Sequence, residues 1–560
     1  MMAATVENGC VNNVKTFSEN SSECKNIEDN VVNGKIRHQN NGYTKSNYKE
    51  NDDTTASSDN KQIPPMDWSL YDTFPGSFEK SSLLTAVLTH LGLCILMFLG
   101  FVNQLLFKPK VATEKNREGY APLYDSFEQF FSRYVYRRVR HCFNRPICSA
   151  PAAEITLMER QSDDYNWSFR LTGQQRRCVN LGSYNYLGLG ASAEAAPAVA
   201  AAVRRYGLAL GSPRAELGST PLHADLEATM AEFLGTEAAI VFGMGFATNA
   251  LSLPGLLGPG SLVLSDENNH ASLILGLRLA RVAVRVFRHN DLAHLERLAR
   301  AARAEAKWRR IVIVVEGVYS MEGSIAPLRA LVALKRRLGL QLYLDEAHSV
   351  GALGARGRGV TDLARVPPAD VDVLMGTFTK SFGAAGGYVA GSKALISCLR
   401  AYGHAHSYAH SMAPCVAAQV LWALRTIDAA RGRRQLARLA DNTAYFRARL
   451  REMGVVTFGH PESPVVPMLV YTFSKMAATV ERLAARGLAT VGVGFPATPL
   501  NMARIRFCLS AGHSREQLDA CLAAVAAVVD ELGLRYSRLP PPPPPPPQPP
   551  HHPHHPQPAC

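Results

Sequence analysis

From Val179 to about Arg433, short apolar runs alternate with amphipathic stretches, and this rhythm restricts the chain to an α/β fold with a mainly parallel sheet. The runs are AIVFG (239–243), SLVLSD (261–266), VAVRVF (282–287), IVIVVEG (311–317), QLYLDE (341–346) and VDVLMGTF (371–378). Each is too short for a helix and too apolar for a loop. The intervening patterns, such as 291–307 and 328–337, place Arg and Lys on solvated helix faces. Beyond Arg433 a long helix is expected over 435–453. Apolar runs at 465–471, 489–495 and 504–510 follow, and then a helix over 514–532, which together make a smaller C-terminal α+β domain.

The flanks differ in kind. Residues 1–66 are rich in Asn, Ser, Glu and Lys, lack the apolar run of a secretory signal, and are expected to be disordered. Residues 67–110 form a membrane-anchoring segment. Its stretch 83–107 is almost continuously apolar and, as a helix of roughly 37 Å, would span a bilayer, although Thr85, Thr89, His90, Asn103 and Gln104 interrupt it and leave an interfacial helix as the alternative. Asp67, Asp72 and Glu79 precede it, and Lys108, Lys110, Lys115 and Arg117 follow it, so the positive-inside rule puts the body that follows in the cytosol. The 11 Cys include no C-x-x-C pair, which excludes a zinc ribbon and fits a reducing compartment. Residues 537–560 become a Pro/His-rich tail that can form polyproline II but no core. Residues 1–80 carry a net −4 and the remainder +17, within an overall +13. A basic body suits an anionic membrane face or a phosphorylated ligand, and no nucleic-acid motif accompanies it.

The sharpest chemical feature is GTFTKSFGAAGG (376–387), a lysine in a Gly/Ser/Thr-rich turn directly after a buried strand. A desolvated Lys380 has the lowered pKa that imine chemistry needs, whereas an exposed loop lysine is the plain alternative. The Walker pattern is absent, so neither this turn nor the DEAH of QLYLDEAHSVG (341–351) reads as a nucleotide site. Asp345 ends one strand and Lys380 follows another. In an open parallel sheet both could face one crevice, where an Asp and a Lys suit pyridoxal phosphate, unless they form only a structural ion pair. GMGFATN (243–249) offers glycine N–H groups at a helix start, a phosphate cradle. His270 after another strand could stack on a planar cofactor or be a hydrogen-bonded surface group. Ser320 could donate to a phenolic oxygen or simply serve a turn.

Together these segments resemble the α-oxoamine synthase family of fold-type I pyridoxal-phosphate enzymes, and within it the lysine-bearing long-chain-base subunits. The resemblance runs from about Pro122 to Ser537. It rests on NRPICSAP (144–151), MERQSDDYNWSFR (158–170), GSYNYLGLG (182–190), VFGMGFATN (241–249), VEGVYSMEGSI (315–325), YLDEAHSVGALG (343–354), DVLMGTFTKSFGAAGGY (372–388) and GFPATP (494–499). The first two point to the long-chain-base branch.

The resemblance implies a fold-type I transferase with a segment 111–180 packed on the body, a large cofactor-binding domain at 181–433 and a small domain at 434–536. It implies that Lys380 forms the imine with pyridoxal 5'-phosphate and that Asp345 pairs with the pyridine nitrogen. His348 and Ser320 would lie near the phenolic oxygen. Gly245, Phe246, Thr377 and Thr379 would hold the phosphate, and His270 would stack on the ring. Arg506 would take the amino-acid carboxylate and Asn185 would help position the substrate; no metal is expected. The implied reaction condenses L-serine with a long-chain acyl-CoA, palmitoyl-CoA, with loss of CO2. The implied setting is the endoplasmic reticulum membrane, in a heterodimer with a homologous subunit lacking the lysine and with room for small regulatory membrane subunits. One loop departs from the family pattern: YGLALGSPRAELGSTPLHADLE (206–227) has Ala209 where a second glycine is expected and Pro213 before Arg214. An inert structural subunit of the same complex is the rival this departure favours, and another α-oxoamine synthase is the rival within the enzyme class.

Overall fold

The computed structural model describes residues 64–71, 79, 82–106, 130–499 and 501–539. The expectations for the polar region before residue 64, for Lys108, Lys110, Lys115 and Arg117, and for the tail from Pro540 lie outside these residues. Helix α1 (Leu83–Leu106) opens with the Ser82 hydroxyl accepting the Thr85 N–H at 2.9 Å and buries only Thr89 and Gly100. A helix apolar all round and exposed almost throughout has the length and composition to cross a membrane. The body holds it through its C-terminal third, where Phe101 stacks on Phe130 with ring centroids 4.2 Å apart.

Next come a helical stretch over 130–142 and the antiparallel hairpin β1 (Glu154–Gln161) and β2 (Arg170–Asn180). The central sheet has seven strands: β3 (Ala238–Phe242), β4 (Ser261–Asp266), β5 (Ala283–Phe287), β6 (Arg310–Glu316), β7 (Gln341–Asp345), β8 (Val373–Thr377) and β9 (Gly387–Gly391). Their spatial order is β3-β9-β8-β7-β6-β4-β5, and every pairing is parallel except the two made by β9. The period of two sends Val263, Val312, Val314, Tyr343 and Met375 into one core and Leu262, Leu264, Ile313, Leu342, Leu344 and Leu374 into the other. Because β4, β6, β7 and β8 run in parallel, Asp266, Glu316, Asp345 and Thr377 all end on one edge of the sheet.

A second, three-stranded antiparallel sheet has the order β10-β13-β12, from β10 (Val465–Tyr471), β12 (Val491–Val493) and β13 (Ala503–Cys508). The expected run at 489–495 is in fact divided between sheets. Its first part, β11 (Leu488–Ala489), pairs in parallel with β2, and only its second part joins β13. The long helix is Ala430–Glu452, five residues earlier at its start than the apolar pattern suggested. Gly432 permits this, since a Cβ there would lie 2.2 Å from the Ile427 carbonyl oxygen. Strand β9, with two glycines in five residues, has little strand propensity and was not anticipated. It exists because Gly376 in β8 leaves room for the Tyr388 ring, whose hydroxyl would be 2.3 Å from a Cβ.

Candidate active site

The turn after β8 is pinned by two buried rings, Phe378 and Phe382, packed edge-on at 5.3 Å. Lys380 lies between them in sequence, partly exposed to the crevice at the sheet edge. Gly383, at φ +60°, lets this turn cross the 188–190 loop, because a Cβ there would meet the Gly190 Cα at 2.2 Å. Burial pushes the Lys380 ammonium down to about 8, against the pull of the Asp345 and Glu316 carboxylates, with the Arg506 cation adding to the lowering.

Tyr184 organises the crevice. The Lys380 ammonium lies 5.7 Å from the centre of its ring and the Arg506 guanidinium 4.8 Å from the same centre. His348 packs edge-on against Tyr184 at 4.9 Å, and its Nδ1 is 2.8 Å from the Tyr186 hydroxyl. Burial, then the charges of Lys380 and Arg506, hold His348 well below the usual imidazole range, so it is neutral.

Asp345, at the end of β7, accepts the Asn249 Nδ2–H at 2.7 Å and the Ala347 N–H at 2.9 Å. Asn249 stands on helix α2 (Gly245–Leu256), and its Oδ1 accepts the Tyr343 hydroxyl at 2.7 Å. Its amide also donates to Ser272 Oγ at 3.0 Å, and Ser272 Oγ is 2.8 Å from His270 Nδ1. Since the Ser272 N–H also points at Nδ1, at 3.2 Å, that nitrogen is the acceptor and the proton sits on Nε2. Burial lowers the His270 pKa, which keeps the ring neutral. The backbone N–H of His270 donates to Glu316, which stands level with Asp345 on the adjacent strand. Burial, then the Asp345 charge, raises Glu316 well above the carboxylate range.

Helix α2 begins without a side-chain cap, leaving its first N–H groups open. Gly245 brings that end against the β8 turn: a Cβ there would be 2.5 Å from Thr377 Oγ1. Thr377 Oγ1 donates to the Gly386 carbonyl at 2.9 Å and lies 2.8 Å from Thr379 Oγ1. The open helix N–H groups therefore form an anion cradle, with the linked Thr377 and Thr379 hydroxyls beside it. Phe246 is half-exposed beside it, its ring 5.9 Å from that of His270.

Arg506 reaches in from β13. One NH donates to the Ser320 carbonyl at 3.3 Å, while its Nε is buried without a hydrogen-bond partner. The Asn185 side chain is occupied by the frame: Nδ2 donates to the Pro151 carbonyl at 2.8 Å and Oδ1 accepts the Gly190 N–H at 3.2 Å. A desolvated lysine, an adjacent carboxylate on a strand end, an anion cradle and a buried guanidinium make a donor set that fits pyridoxal phosphate.

Sequence reasoning passed over Asn249, Ser272, Glu316, Tyr184 and Tyr186. Asn249 lies one helical turn beyond Gly245, and Glu316 ends β6 in register with Asp345; both spacings were legible. The tyrosines gave no such signal, because only tertiary packing brings them to Lys380. In the departing loop, Gly207 takes φ +78°. Arg214 makes a buried ion pair with Glu227 at 2.9 Å, and Leu208 and Leu217 are exposed.

A mixed seven-stranded sheet with this lysine and aspartate on its carboxyl edge defines a pyridoxal-phosphate-dependent transferase of fold type I. The family model for aminotransferase class I and II matches residues 176–525. Human serine palmitoyltransferase 3 is 47% identical over 480 residues, covering 82% of this chain and 87% of the human protein. Long chain base biosynthesis protein 2b of Arabidopsis thaliana is 43% identical, covering 81% and 95%. The solved serine palmitoyltransferase of Sphingomonas wittichii superposes with a TM-score of 0.64 at 29% identity, covering 73% of this chain and 99% of that one. The chain belongs to the serine palmitoyltransferase family.

Proposed function

We propose that this chain is the lysine-bearing catalytic subunit that condenses L-serine with a long-chain acyl-CoA, palmitoyl-CoA being the reference substrate, to give 3-ketosphinganine, the first step of sphingolipid synthesis. The new bond joins serine Cα to the acyl carbonyl carbon, CoA leaves as its thiol, and the serine carboxylate leaves as CO2. The observation that carries this reading is the meeting of Lys380 and Arg506 on the Tyr184 ring, with Asp345 close enough to act on the Lys380 charge.

Pyridoxal phosphate, when bound, supplies an aldehyde for the amine and a ring that delocalises negative charge from Cα. Lys380 would hold the cofactor in the resting enzyme and, as a free amine, would take the α-proton; its pKa of about 8 suits that role near neutrality. Asp345, fixed by Asn249 and the Ala347 N–H, keeps a proton on the pyridine nitrogen. Gly245, Phe246, Thr377 and Thr379 would receive the phosphate, and the neutral His270 would lie against the ring. His348 and Ser320 would serve the phenolic oxygen. Arg506 binds the serine carboxylate through its guanidinium beside Tyr184, a planar fork suited to that anion. Asn185 positions substrate indirectly, by holding the 185–190 turn against Pro151.

The large domain at 181–433 supplies the cofactor groups and the small domain at 434–536 supplies Arg506. Helix α1 anchors the chain in the endoplasmic reticulum membrane with its body in the cytosol. There it pairs with a homologous subunit lacking the lysine and accommodates small regulatory membrane subunits. Membranes free of background activity, expressing this chain with such a partner, are given labelled serine and a panel of acyl-CoAs, and products are read by mass spectrometry. A 3-ketosphinganine product that disappears in Lys380→Ala is expected. Turnover unchanged in that variant would refute the mechanism.

A further inference from the structure

The segment MERQSDDYNWSFR plays no part in the chemistry above, yet it folds into a rigid and unusual surface feature. It forms the tip of the β1–β2 hairpin. There the Asp164 carboxylate accepts the N–H groups of Trp167 and Ser168, both at 2.9 Å, and the hydroxyls of Ser162 at 2.8 Å and Ser168 at 2.6 Å. The tip is fastened to the helical stretch 130–142: Asn166 Nδ2 donates to the Arg137 carbonyl at 3.1 Å, and Arg140 donates back to the Asn166 carbonyl at 3.1 Å. So locked, it presents Tyr165 and Trp167, 57% and 53% exposed, together with the Arg137 guanidinium, which lies 5.1 and 4.6 Å from their ring centres. Arg138 and Arg170 are exposed nearby. Residues 130–180 contain nine Arg against four acidic residues. Of these acids, Asp164 is engaged by the turn and Asp163 pairs with Arg170 at 2.9 Å.

The same stretch 130–142 is bolted to α1. Phe130 stacks on Phe101, and a Cβ on Gly100 would lie 2.8 Å from the Phe130 ring. From Phe130 to Arg137 is seven residues, roughly 10 Å along a helix. The headgroup region flanking the hydrocarbon core is roughly 5–8 Å deep on each side, so a tip within that distance of the α1 contact can reach it. Aromatic rings with a polar edge and arginines that extend to phosphates are the residues that settle in this region.

We infer that the Tyr165/Trp167/Arg137 tip is a second membrane contact, docking the catalytic body on the anionic headgroups of the leaflet at the C-terminal end of α1. It rests on the anchoring of α1 proposed above. Held at two points, α1 and the tip, the body cannot swivel about the single helix, and its crevice keeps a constant orientation to the lipid from which acyl substrate arrives.

The test uses the full chain in nanodiscs containing phosphatidylserine, with brominated or ordinary acyl chains. The chain has four tryptophans, and the difference between the parent and Trp167→Phe isolates the emission of Trp167. Loss of that emission in brominated discs is expected. The loss should weaken in roughly 0.5 M salt, where the screening length falls to a few ångströms. Arg137→Gln and Arg138→Gln should each shift docking about fivefold. Equal emission in both discs would overturn the proposal. So would a Trp167 shielded from acrylamide yet unquenched by bromine, since protein rather than lipid would then cover the tip. Retention of the chain in the disc after alkaline washing reports α1 separately; loss of the chain would overturn the anchor, and the second contact with it.

Discussion

Lys380→Met should stabilise the cofactor-free protein near pH 7 while abolishing turnover. The physical basis is the cost of burying an ammonium group. In the unfolded chain Lys380 titrates near its ordinary 10.5, and in the folded crevice it titrates at about 8. Below pH 8 the amine is charged in both states and the full cost is present. Between pH 8 and 10.5 the folded protein sheds a proton that the unfolded chain keeps, so stability rises with pH; above 10.5 both forms are neutral and the cost is gone. The gap corresponds to about 3 kcal/mol, an upper figure because Lys380 keeps some exposure to the crevice. Methionine fills nearly the same space without charge. For a body of this size the expected rise in Tm at pH 7 is roughly 4 °C, shrinking toward zero as the pH approaches 10. The assay is thermal unfolding of cofactor-stripped full chain in detergent, parent beside variant, across that pH range. A destabilised variant at pH 7, or a difference that widens above pH 8, would refute the reasoning.

Three further outcomes follow from the geometry. Arg506→Lys should raise the KM for serine by about tenfold or more, because a point charge replaces a planar fork, while the visible absorbance of bound cofactor is unchanged; steady-state kinetics beside a cofactor titration checks both. Asn249→Ala removes the donor to Asp345 and the acceptor for the Tyr343 hydroxyl, and should cost about 1–3 kcal/mol in stability together with weaker cofactor retention on dialysis. Arg214→Gln leaves Glu227 with only Arg400 at 2.6 Å and the Val241 N–H at 3.0 Å, and should lower stability by about 2 kcal/mol or more in denaturant unfolding.

The β-strand rhythm between 239 and 378 was strong enough to define the parallel sheet, and with it the edge where Asp345 and Lys380 end. Those two residues drew notice because each places a charge at or just beyond the end of an apolar run. Strand β9 was hidden by its glycines, which are there to admit Tyr388, a requirement set by a neighbouring strand. The apolar run at 489–495 looked like one strand because hydrophobicity does not record which sheet a residue joins.

Sequence alone thus determined the local quantities: strand and helix periods, the apolar length of α1, the charge of each flank, and the residue types able to hold a cofactor. Those depend on neighbours a few positions away along one chain. Tertiary structure alone decided that Tyr184 stands between Lys380 and Arg506, residues 126 positions apart in sequence. It also decided that burial raises the Glu316 pKa, and that the Asn185 amide is spent on the backbone. Desolvation and hydrogen-bond partnership depend on what surrounds an atom in space, and that is settled only when strands far apart in the chain are brought edge to edge.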